Sequence, residues 1–365
     1  MSHLHIQAAL RNGTTTADLL ARYGVKHRRH SRFPSLVLFK YDQIASDFTQ
    51  TLVRECRGIV LDEADGWRVV CRSFDKFFNH GEGHAAEIDW STARVQEKLD
   101  GSLCNLYFYA GEWHVATTGT PDAGGQVHGS EGLTFAEYFW STFRAQGGRL
   151  PTPGYREHVF SFELMGPMNR IVVEHAAPWL RLLGIRDRVI HEQYDVERHA
   201  DLVNIEAVRS FPLTSFREME ATFPTMSPLS QEGYVVVDGN WNRVKVKSPA
   251  YVALHHAKDG MTDRAFVEIA RNGETSEVEA AFPEIRARLE EVRLGLAGVR
   301  EKVSADFDAM RSEPDQKSFA LRAVHRPWSG LLFAMRKGVP LNEALLNADV
   351  DRLLQWMRLD AKEAA

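Results

Sequence analysis

Cysteine is scarce in this chain of 365 residues, which contains only Cys56, Cys71 and Cys104. They are odd in number and show no C-x-x-C spacing, so the sequence encodes neither a disulfide framework nor a zinc knuckle. No run approaches the roughly 18 apolar residues of a membrane helix, and the N-terminal segment lacks the charged-then-apolar order of a signal peptide. We therefore expect a cytoplasmic protein with reduced core thiols and no membrane association.

An excess of positive charge is also absent. The chain has 44 Lys and Arg against 49 Asp and Glu, a formal net charge of −5, which argues against a basic nucleic-acid coat protein. The hydrophobic share of 44% and the charged share of 25% are ordinary globular values and exclude a disordered or collagen-like chain. The motifs G-x-x-x-x-G-K-[ST], H-E-x-x-H and G-x-S-x-G do not occur either.

Hydrophobic patterns divide the chain near residue 250. Before that point, period-2 alternation predicts antiparallel strands, and after Ser248-Pro249 the pattern becomes helical, which predicts domains of 1–249 and 250–365. The expected strands are 35–39, 58–61, 67–71, 103–109, 112–118, 158–164, 170–173, 180–185, 234–237 and 243–247. The expected helices are a short one ending at Gly24 and longer ones at 131–146, 283–300 and 341–356.

A basic stretch lies between Asp18 and Asp42, which are separated by no acidic residue. Its cations are Arg22, Lys26, Arg28, Arg29, Arg32 and Lys40. Two interpretations remain open from the sequence, a solvated basic face or a surface that contacts RNA phosphates.

The segment Lys98-Leu99-Asp100-Gly101 lies in a turn between two expected strands. A lysine at the mouth of a sheet can serve as a nucleophilic amine, although such a short motif is weak evidence alone. A second feature strengthens it. In the strand Arg243-Val244-Lys245-Val246-Lys247, the three cations share one face, where an anion or water must meet them. A polyphosphate pocket and a solvent-exposed edge strand both fit this pattern.

Two acids lie in apolar strand contexts, Glu163 and Glu232, and an acid in such a place must be paired or coordinated. Glu163 could bind a sugar hydroxyl or pair with Arg170, and Glu232 could bind a divalent ion or cap the loop before it. Two further cations lie upstream, Arg57 and Lys76, and each could be a phosphate ligand or an ordinary ion-pair partner. Together these residue types suit the attack of an amine on a nucleoside triphosphate, without choosing the nucleotide.

The order of these segments resembles the motif series of the ATP-dependent phage tRNA-repair RNA ligases, which are covalent nucleotidyltransferases. The resemblance spans roughly residues 50 to 258. The matching segments are Glu55-Cys56-Arg57-Gly58-Ile59, Lys76-Phe77-Phe78-Asn79, Lys98-Leu99-Asp100-Gly101-Ser102, Phe162-Glu163-x-x-x-Pro167-x-Asn169-Arg170, Glu232-Gly233-Tyr234-Val235 and Lys245-x-Lys247-Ser248-x-x-Tyr251.

The resemblance implies an α+β fold of two domains. The first is a nucleotidyltransferase domain built on antiparallel sheets, of the ATP-grasp-like type found in ligases. The second is an all-helical C-terminal domain that selects RNA. It implies that Lys98 attacks the α-phosphate of ATP to form a lysyl-adenylate, which is passed to an RNA 5′-phosphate and then displaced by a 3′-hydroxyl. In that reaction Glu163 would hold the ribose, Arg57 and Lys76 the β- and γ-phosphates, and Lys245 and Lys247 the α-phosphate and leaving group. Glu232 would organise Mg²⁺ or Mn²⁺.

The resemblance further implies a monomer that binds ATP and RNA ends, including those of cleaved tRNA. One departure is Thr117-Thr118-Gly119, where family members can carry a lysine. That phosphate contact is then either missing or supplied by another residue, such as one of the basic stretch. Alternatives are a non-catalytic protein that binds nucleotides or RNA ends, or a DNA ligase or capping-type enzyme. Those enzymes normally continue into an all-β domain, whereas this chain turns helical near residue 250.

Overall fold

The computed structural model describes residues 4–42, 46–127, 132–258, 262–271 and 285–363. The chain divides into two compact units, Met1–Ser248 and Pro249–Ala365. The first unit combines helices with three largely antiparallel sheets, and the described part of the second contains helices. This architecture confirms the predicted α+β class.

The first unit holds most of the secondary structure that positions the candidate residues. Its strands are β1 (Val25–Arg29), β2 (Leu36–Tyr41), β3 (Arg57–Asp62), β4 (Arg68–Cys71), β5 (Phe78–Asn79), β6 (Arg94–Lys98), β7 (Ser102–Tyr109), β8 (Glu112–Thr117), β9 (His158–Met165), β10 (Trp179–Asp187), β11 (Gln193–Tyr194), β12 (Ser210–Phe211), β13 (Gly233–Val237) and β14 (Arg243–Lys247). Its helices are α1 (His5–Arg11), α2 (Thr16–Tyr23), α3 (Thr51–Glu55), α4 (Phe135–Ala145), α5 (Val196–His199) and α6 (Phe216–Thr222).

The first sheet joins β1, β2, β3 and β4 in chain order, with antiparallel neighbours. Helices α1, α2 and α3 contribute to its core, in which Leu19 and Phe39 are fully buried. Thr15 caps α2 by accepting a hydrogen bond from the Asp18 amide, and Gly24 ends the helix in the left-handed conformation. The hydroxyl cap and the terminal glycine predicted this helix.

The second sheet has the order β11-β10-β9-β7-β8 and is antiparallel throughout. Helix α4 covers one face, where Phe139 and Phe143 pack against Phe162 of β9. The aromatic spacing therefore predicted the buried face of this helix, although the expected start at residue 131 lies outside the described residues. Ala110 and Gly111 both have positive φ and form the tight turn between β7 and β8.

The third sheet has the order β12-β6-β13-β14-β5, in which only the pairing of β5 with β14 is parallel. Its core includes Val236 of β13 and Val244 and Val246 of β14. The segment 99–101 connects β6 of this sheet to β7 of the second sheet. The predicted turn containing Lys98 is thus the crossing point between two sheets.

Two predicted elements are wrong in detail. Residues 170–173 do not form a strand, because the amides of Val172 and Val173 donate to the Asp100 carboxylate instead of to a neighbouring strand. The helix expected at 341–356 is two helices, because Asp349 accepts a hydrogen bond from the Arg352 amide and so caps a new helix.

The second unit is described as helices around their own core. They are α7 (Pro249–Lys258), α8 (Asp263–Arg271), α9 (Arg286–Asp308), α10 (Gln316–Ala323), α11 (Ser329–Arg336), α12 (Leu341–Leu346) and α13 (Val350–Glu363). Fully buried core residues include Phe319, Leu332 and Leu353. The start of the helix expected at 283–300 lies outside the described residues, and α9 continues to Asp308.

The three cysteines are free and buried, as expected. Burial raises the pKa of the Cys71 thiol to about 12 and so suppresses its reactive thiolate form. Among the helices that the structure describes, none combines the length and the apolar character needed to span a bilayer.

Candidate active site

Lys98 is the last residue of β6 and is held there by the turn that follows it. The Asp100 carboxylate is buried and accepts hydrogen bonds of 2.8 Å from the amides of both Val172 and Val173. Gly101 lies so close to β9 that a β-carbon on it would come within 2.4 Å of the Leu164 carbonyl oxygen. The D-G pair of the motif therefore fixes the backbone beside Lys98.

Glu232 brings two of the predicted lysines together. Its side chain is only 3% exposed, and its two oxygens contact the Lys98 ammonium at 2.5 Å and the Lys247 ammonium at 3.2 Å. Strand register explains the meeting, because Gly233 lies opposite Lys98 on one side and opposite Lys247 on the other. A side chain at Gly233 would clash with the backbone of β14, so only glycine allows this close pairing.

Strand β14 shows the predicted alternation. Val244 and Val246 are buried in the core of the third sheet, while Arg243, Lys245 and Lys247 lie on the other face. Burial lowers the pKa of Lys245 to about 7, and the positive charges of Arg57, Lys98, Lys76 and Lys247 act in the same direction. The free protein thus concentrates cations in a place that favours an anion.

Arg57 and Lys245 lie over the same aromatic ring, that of Phe77, at 5.2 and 4.9 Å from its centre. The Nη1 atom of Arg57 is buried and has no hydrogen-bond partner among the described residues. Lys76 lies 5.0 Å from the ring centre of Phe48, and burial lowers the pKa of its ammonium. Both upstream cations therefore belong to the same cationic cluster as β14.

Glu163 lies on β9, opposite Leu103 of β7 and Arg181 of β10. Burial raises the pKa of its carboxyl to about 7, although the nearby Lys98 ammonium favours the ionised form. From the sequence, Arg170 was the alternative partner of Glu163, and in the structure Arg170 forms an ion pair with Glu174 at 2.7 Å. The structure thus brings Glu163 into electrostatic range of Lys98, as the proposed site requires.

Two supporting residues were not assigned a role by sequence reasoning. Asn169 donates hydrogen bonds to the Leu164 carbonyl at 2.7 Å and to the Ser102 hydroxyl at 3.1 Å, and so braces the start of β7. Phe77 provides the shared ring beneath two cations. Both residues lie inside the matching motif segments, so their position in the motifs was the available signal.

A divalent ion has one evident protein ligand in this site, the Glu232 carboxylate. Among the described residues, no three His, Cys, Asp or Glu side chains are arranged to hold a metal by themselves. Magnesium is commonly bound through one or two carboxylates, with substrate phosphates and water completing the shell. The donor set fits an ion that arrives with a polyphosphate.

Comparisons with known proteins agree with this geometry. The model of a family described as RNA ligase matches residues 55–251, more than half of the chain. An RNA ligase of Rhodothermus phage RM378 is 24% identical over 382 residues, covering 83% of this chain and 85% of its own. A protein of Autographa californica nuclear polyhedrosis virus, named a bifunctional polynucleotide kinase/RNA ligase, is 27% identical over 308 residues, or 78% of this chain.

The chain spans 42% of the length of that viral relative. A solved archaeal ATP-dependent RNA ligase, in its form 2, aligns over 100% of this chain and 83% of its own at 16% identity, with a TM-score of 0.47. The range of the family match, residues 55–251, includes Arg57, Lys98, Glu232 and Lys247. The chain therefore belongs to the RNA ligase family, as its motif series predicted.

Proposed function

We propose that this protein is an ATP-dependent ligase that joins RNA 5′-phosphate and 3′-hydroxyl ends through a lysyl-adenylate and an RNA-adenylate, in the repair of RNA such as cleaved tRNA. The observation that carries the proposal is the Lys98 ammonium held by buried Glu232 beside a cluster of cations. Membership of the RNA ligase family supports it independently.

Adenylation begins at Lys98. Its ammonium must lose a proton before it can attack. The Glu232 carboxylate, which accepts a hydrogen bond from that ammonium at 2.5 Å, would pass the proton on to water before the carboxylate takes a divalent ion. The amine then forms a bond to the α-phosphorus of ATP, and the bond to the β-phosphate oxygen breaks with its electron pair, which leaves with pyrophosphate. Lys247 and Lys245 lie where they would neutralise the charge that develops on the α-phosphate and the leaving group.

The remaining candidates bind the nucleotide. Arg57, with its unpartnered buried nitrogen, and Lys76 suit the β- and γ-phosphates. Glu163 suits the ribose, because an ionised carboxylate accepts hydrogen bonds from sugar hydroxyls. Its raised pKa means that protonation competes with this role near neutral pH.

Mg²⁺ or Mn²⁺ would be held by Glu232 together with phosphate oxygens. When bound, such an ion neutralises phosphate charge in the transition state. Lys98 and Lys247, which now contact Glu232, would turn to the phosphates when the nucleotide enters. Glu232 would then be free of its two ammonium partners and could hold the divalent ion.

The basic residue missing at Thr118 has a candidate replacement in Lys40. This lysine lies directly opposite Arg57 in the register of β2 and β3, so both side chains leave the sheet on the same face. Gly58, the next residue in β3, packs on the Thr118 backbone. We infer that Lys40 supplies, from the neighbouring strand, the phosphate contact that Thr118 cannot make.

In the later steps, AMP passes from Lys98 to the RNA 5′-phosphate, and the 3′-hydroxyl displaces AMP to form the phosphodiester. We assign these nucleotidyl steps to residues 1–249 and the choice of RNA substrate to the helical residues 250–365. We further propose that the protein acts as a monomer in the cytoplasm, a compartment in which its three unpaired cysteines would stay reduced.

The test is incubation with ATP labelled at the α-phosphate, followed by acid denaturation. We expect a labelled protein adduct that Lys98→Met abolishes and that Lys26→Met, a surface control whose partner is Asp42, retains. Absence of the adduct, with ATP still stabilising the protein, would instead favour a non-catalytic nucleotide-binding protein. Nick sealing on DNA and RNA substrates separates an RNA ligase from a DNA ligase.

A further inference from the structure

Three arginines outside the set assigned above share a single carboxylate. Arg72 and Arg186 are each only 7% exposed, and Arg243 is partly buried on β14. Asp75 binds the Arg72 guanidinium through both carboxylate oxygens, at 2.7 to 3.1 Å. One acid thus neutralises one of three guanidinium groups, and the cluster retains about two positive charges.

The other two guanidinium groups contact neutral atoms. Arg186 donates to the His191 carbonyl at 3.4 Å, and its Nε is buried without a partner in the part of the chain that the structure describes. Arg243 donates to the Trp241 carbonyl at 3.3 Å. Burial and the two neighbouring arginines lower the pKa of His191 to about 4, so its imidazole is neutral and does not change the charge balance.

Uncompensated buried cations are costly, and an anionic ligand relieves that cost. The cost is visible at Arg243, where burial and the charges of Arg186, Arg57 and Arg94 lower the pKa to about 9. Arg94 is itself neutralised by an ion pair with Asp195. The cluster around Arg243 therefore has the electrostatic character of an anion-binding position.

The position of the cluster relates it to the phosphate channel. Arg243 lies on the same face of β14 as Lys245 and Lys247, about 7 Å beyond Lys245 and about 13 Å beyond Lys247. Arg57 lies within electrostatic range of both Lys245 and Arg243. The row of cations that begins beside Lys98 thus continues past the expected site of the γ-phosphate.

The surroundings of the cluster are closely packed. The Phe74 ring lies 4.5 Å from the Arg243 guanidinium, and it can do so because a β-carbon on Gly184 would come within 2.6 Å of that ring. Arg72 and Arg186 are almost fully buried. A polynucleotide strand needs an open path through its site, whereas a compact terminal anion needs only one open side.

We propose that Arg243 and Arg186, backed by the Arg72–Asp75 pair, form a distal subsite that receives pyrophosphate after it leaves the α-phosphate of ATP. This proposal rests on the proposed function. The subsite would hold the leaving group on its way out, and by microscopic reversibility it would also receive added pyrophosphate before the reverse attack on the lysyl-adenylate. The shared ligand chemistry is a phosphate oxyanion, which pyrophosphate and an RNA phosphate could both supply.

The experiment starts from purified, adenylylated full-length protein and measures its discharge by added inorganic pyrophosphate. We expect Arg243→Gln to raise the pyrophosphate concentration needed for half-maximal discharge by about ten-fold or more, as the loss of a charge-assisted hydrogen bond should. Arg243→Lys should restore part of the response. Arg94→Gln is the matched control, because it removes a cation from the same row of the sheet whose charge Asp195 already neutralises.

Two further measurements identify the anion. The first is the sealing of chemically pre-adenylylated RNA, in which Arg243→Gln should match the wild type because that step involves no pyrophosphate. The second is the ATP concentration needed for half-maximal adenylation, which should rise less in Arg243→Gln than the pyrophosphate concentration needed for half-maximal discharge. If the sealing rate of Arg243→Gln falls as much as its discharge by pyrophosphate, the cluster binds an RNA phosphate and the proposal is overturned. If the ATP concentration needed for adenylation rises as much as the pyrophosphate concentration needed for discharge, the cluster binds the triphosphate of ATP and the proposal is likewise overturned.

Calorimetric titration of unadenylylated protein with inorganic pyrophosphate tests the subsite without any chemistry. Wild type and Lys98→Met should both bind pyrophosphate, and Arg243→Gln should bind it about ten-fold more weakly. Equal binding by wild type and Arg243→Gln would reject the subsite. Failure of the wild type to form the Lys98 adduct would reject the proposed function. The binding titration would still decide on its own whether Arg243 binds pyrophosphate.

Discussion

At the scale of single residues, Lys245 shows how the site trades stability for binding. Its ammonium lies over Phe77 and is surrounded by four other cations, which together with burial lower its pKa to about 7. In the unfolded chain the pKa of the same group lies near the ordinary lysine value of 10.5. In the ligand-free protein the buried charge of Lys245 therefore lowers the free energy of unfolding. When a polyphosphate binds, the same charge attracts the anion and favours binding.

We predict that Lys245→Met stabilises the ligand-free protein. Between pH 7 and 10.5 the unfolded state binds more protons than the folded state, so wild-type stability from this group rises with pH across that window. The gain in Tm from the substitution should be largest below pH 7, on the order of a few degrees, and should disappear near pH 10.5. Thermal denaturation of both proteins at several pH values measures it.

Lys26→Met is the control for this comparison, because Lys26 is an exposed lysine paired with Asp42. It should shift Tm little and without the same pH dependence. A gain for Lys245→Met that is independent of pH would contradict the explanation from charge burial. In either case Lys245→Met should weaken adenylation, since the same charge serves the leaving group.

At the scale of secondary structure, the turn from β6 to β7 holds the nucleophile. We predict that Gly101→Ala impairs adduct formation about ten-fold or more and destabilises the protein by about 1–3 kcal/mol, because the new methyl group would meet the Leu164 carbonyl. Gly154→Ala is the matched control, since a β-carbon there has no heavy atom within 4 Å. Labelling with ATP and thermal denaturation report the two effects. Normal labelling of Gly101→Ala would show that this contact does not position Lys98.

Local patterns predicted the elements that depend on local physics. The alternation of valines and cations set both faces of β14, and a hydroxyl cap marked the start of α2. The same reasoning failed at residues 170–173, where an apolar run looked like a strand. The amides of Val172 and Val173 donate hydrogen bonds to Asp100, which is far away in the sequence. A local hydrophobic pattern contains no information about such a distant partner.

The site was predictable to the extent that its residues lie in ordered motifs. Lys98, Glu232 and Lys247 meet because β6 and β14 flank β13, a pairing that only the assembled sheet reveals. The shared Phe77 ring and the opposition of Lys40 to Arg57 likewise depend on tertiary contacts. The motifs therefore predicted which residues belong to the site, and strand register shows which of them lie in contact.

At the scale of the whole molecule, the net charge of −5 coexists with a locally cationic site. The basic stretch that could have formed an RNA track is largely neutralised by acids from elsewhere in the chain. Lys26 pairs with Asp42 at 2.6 Å, and Arg29 pairs with Glu63 at 2.6 Å. A third cation, Arg32, pairs with Glu112 at 3.1 Å. These contacts favour the interpretation of a solvated face for much of that stretch.

We therefore predict that RNA binding depends on a few phosphate contacts near the site. For single strands, each contact contributes about −0.7 to the slope of log K against log salt, so the slope for a 5′-phosphorylated oligonucleotide without ATP should be about −2 to −4. Arg57→Gln should make the slope less negative by about 0.7. Arg28→Gln, an exposed cation of β1, should leave it unchanged. A flat titration would exclude phosphate contacts, and a changed slope in Arg28→Gln would instead assign β1 to the RNA track.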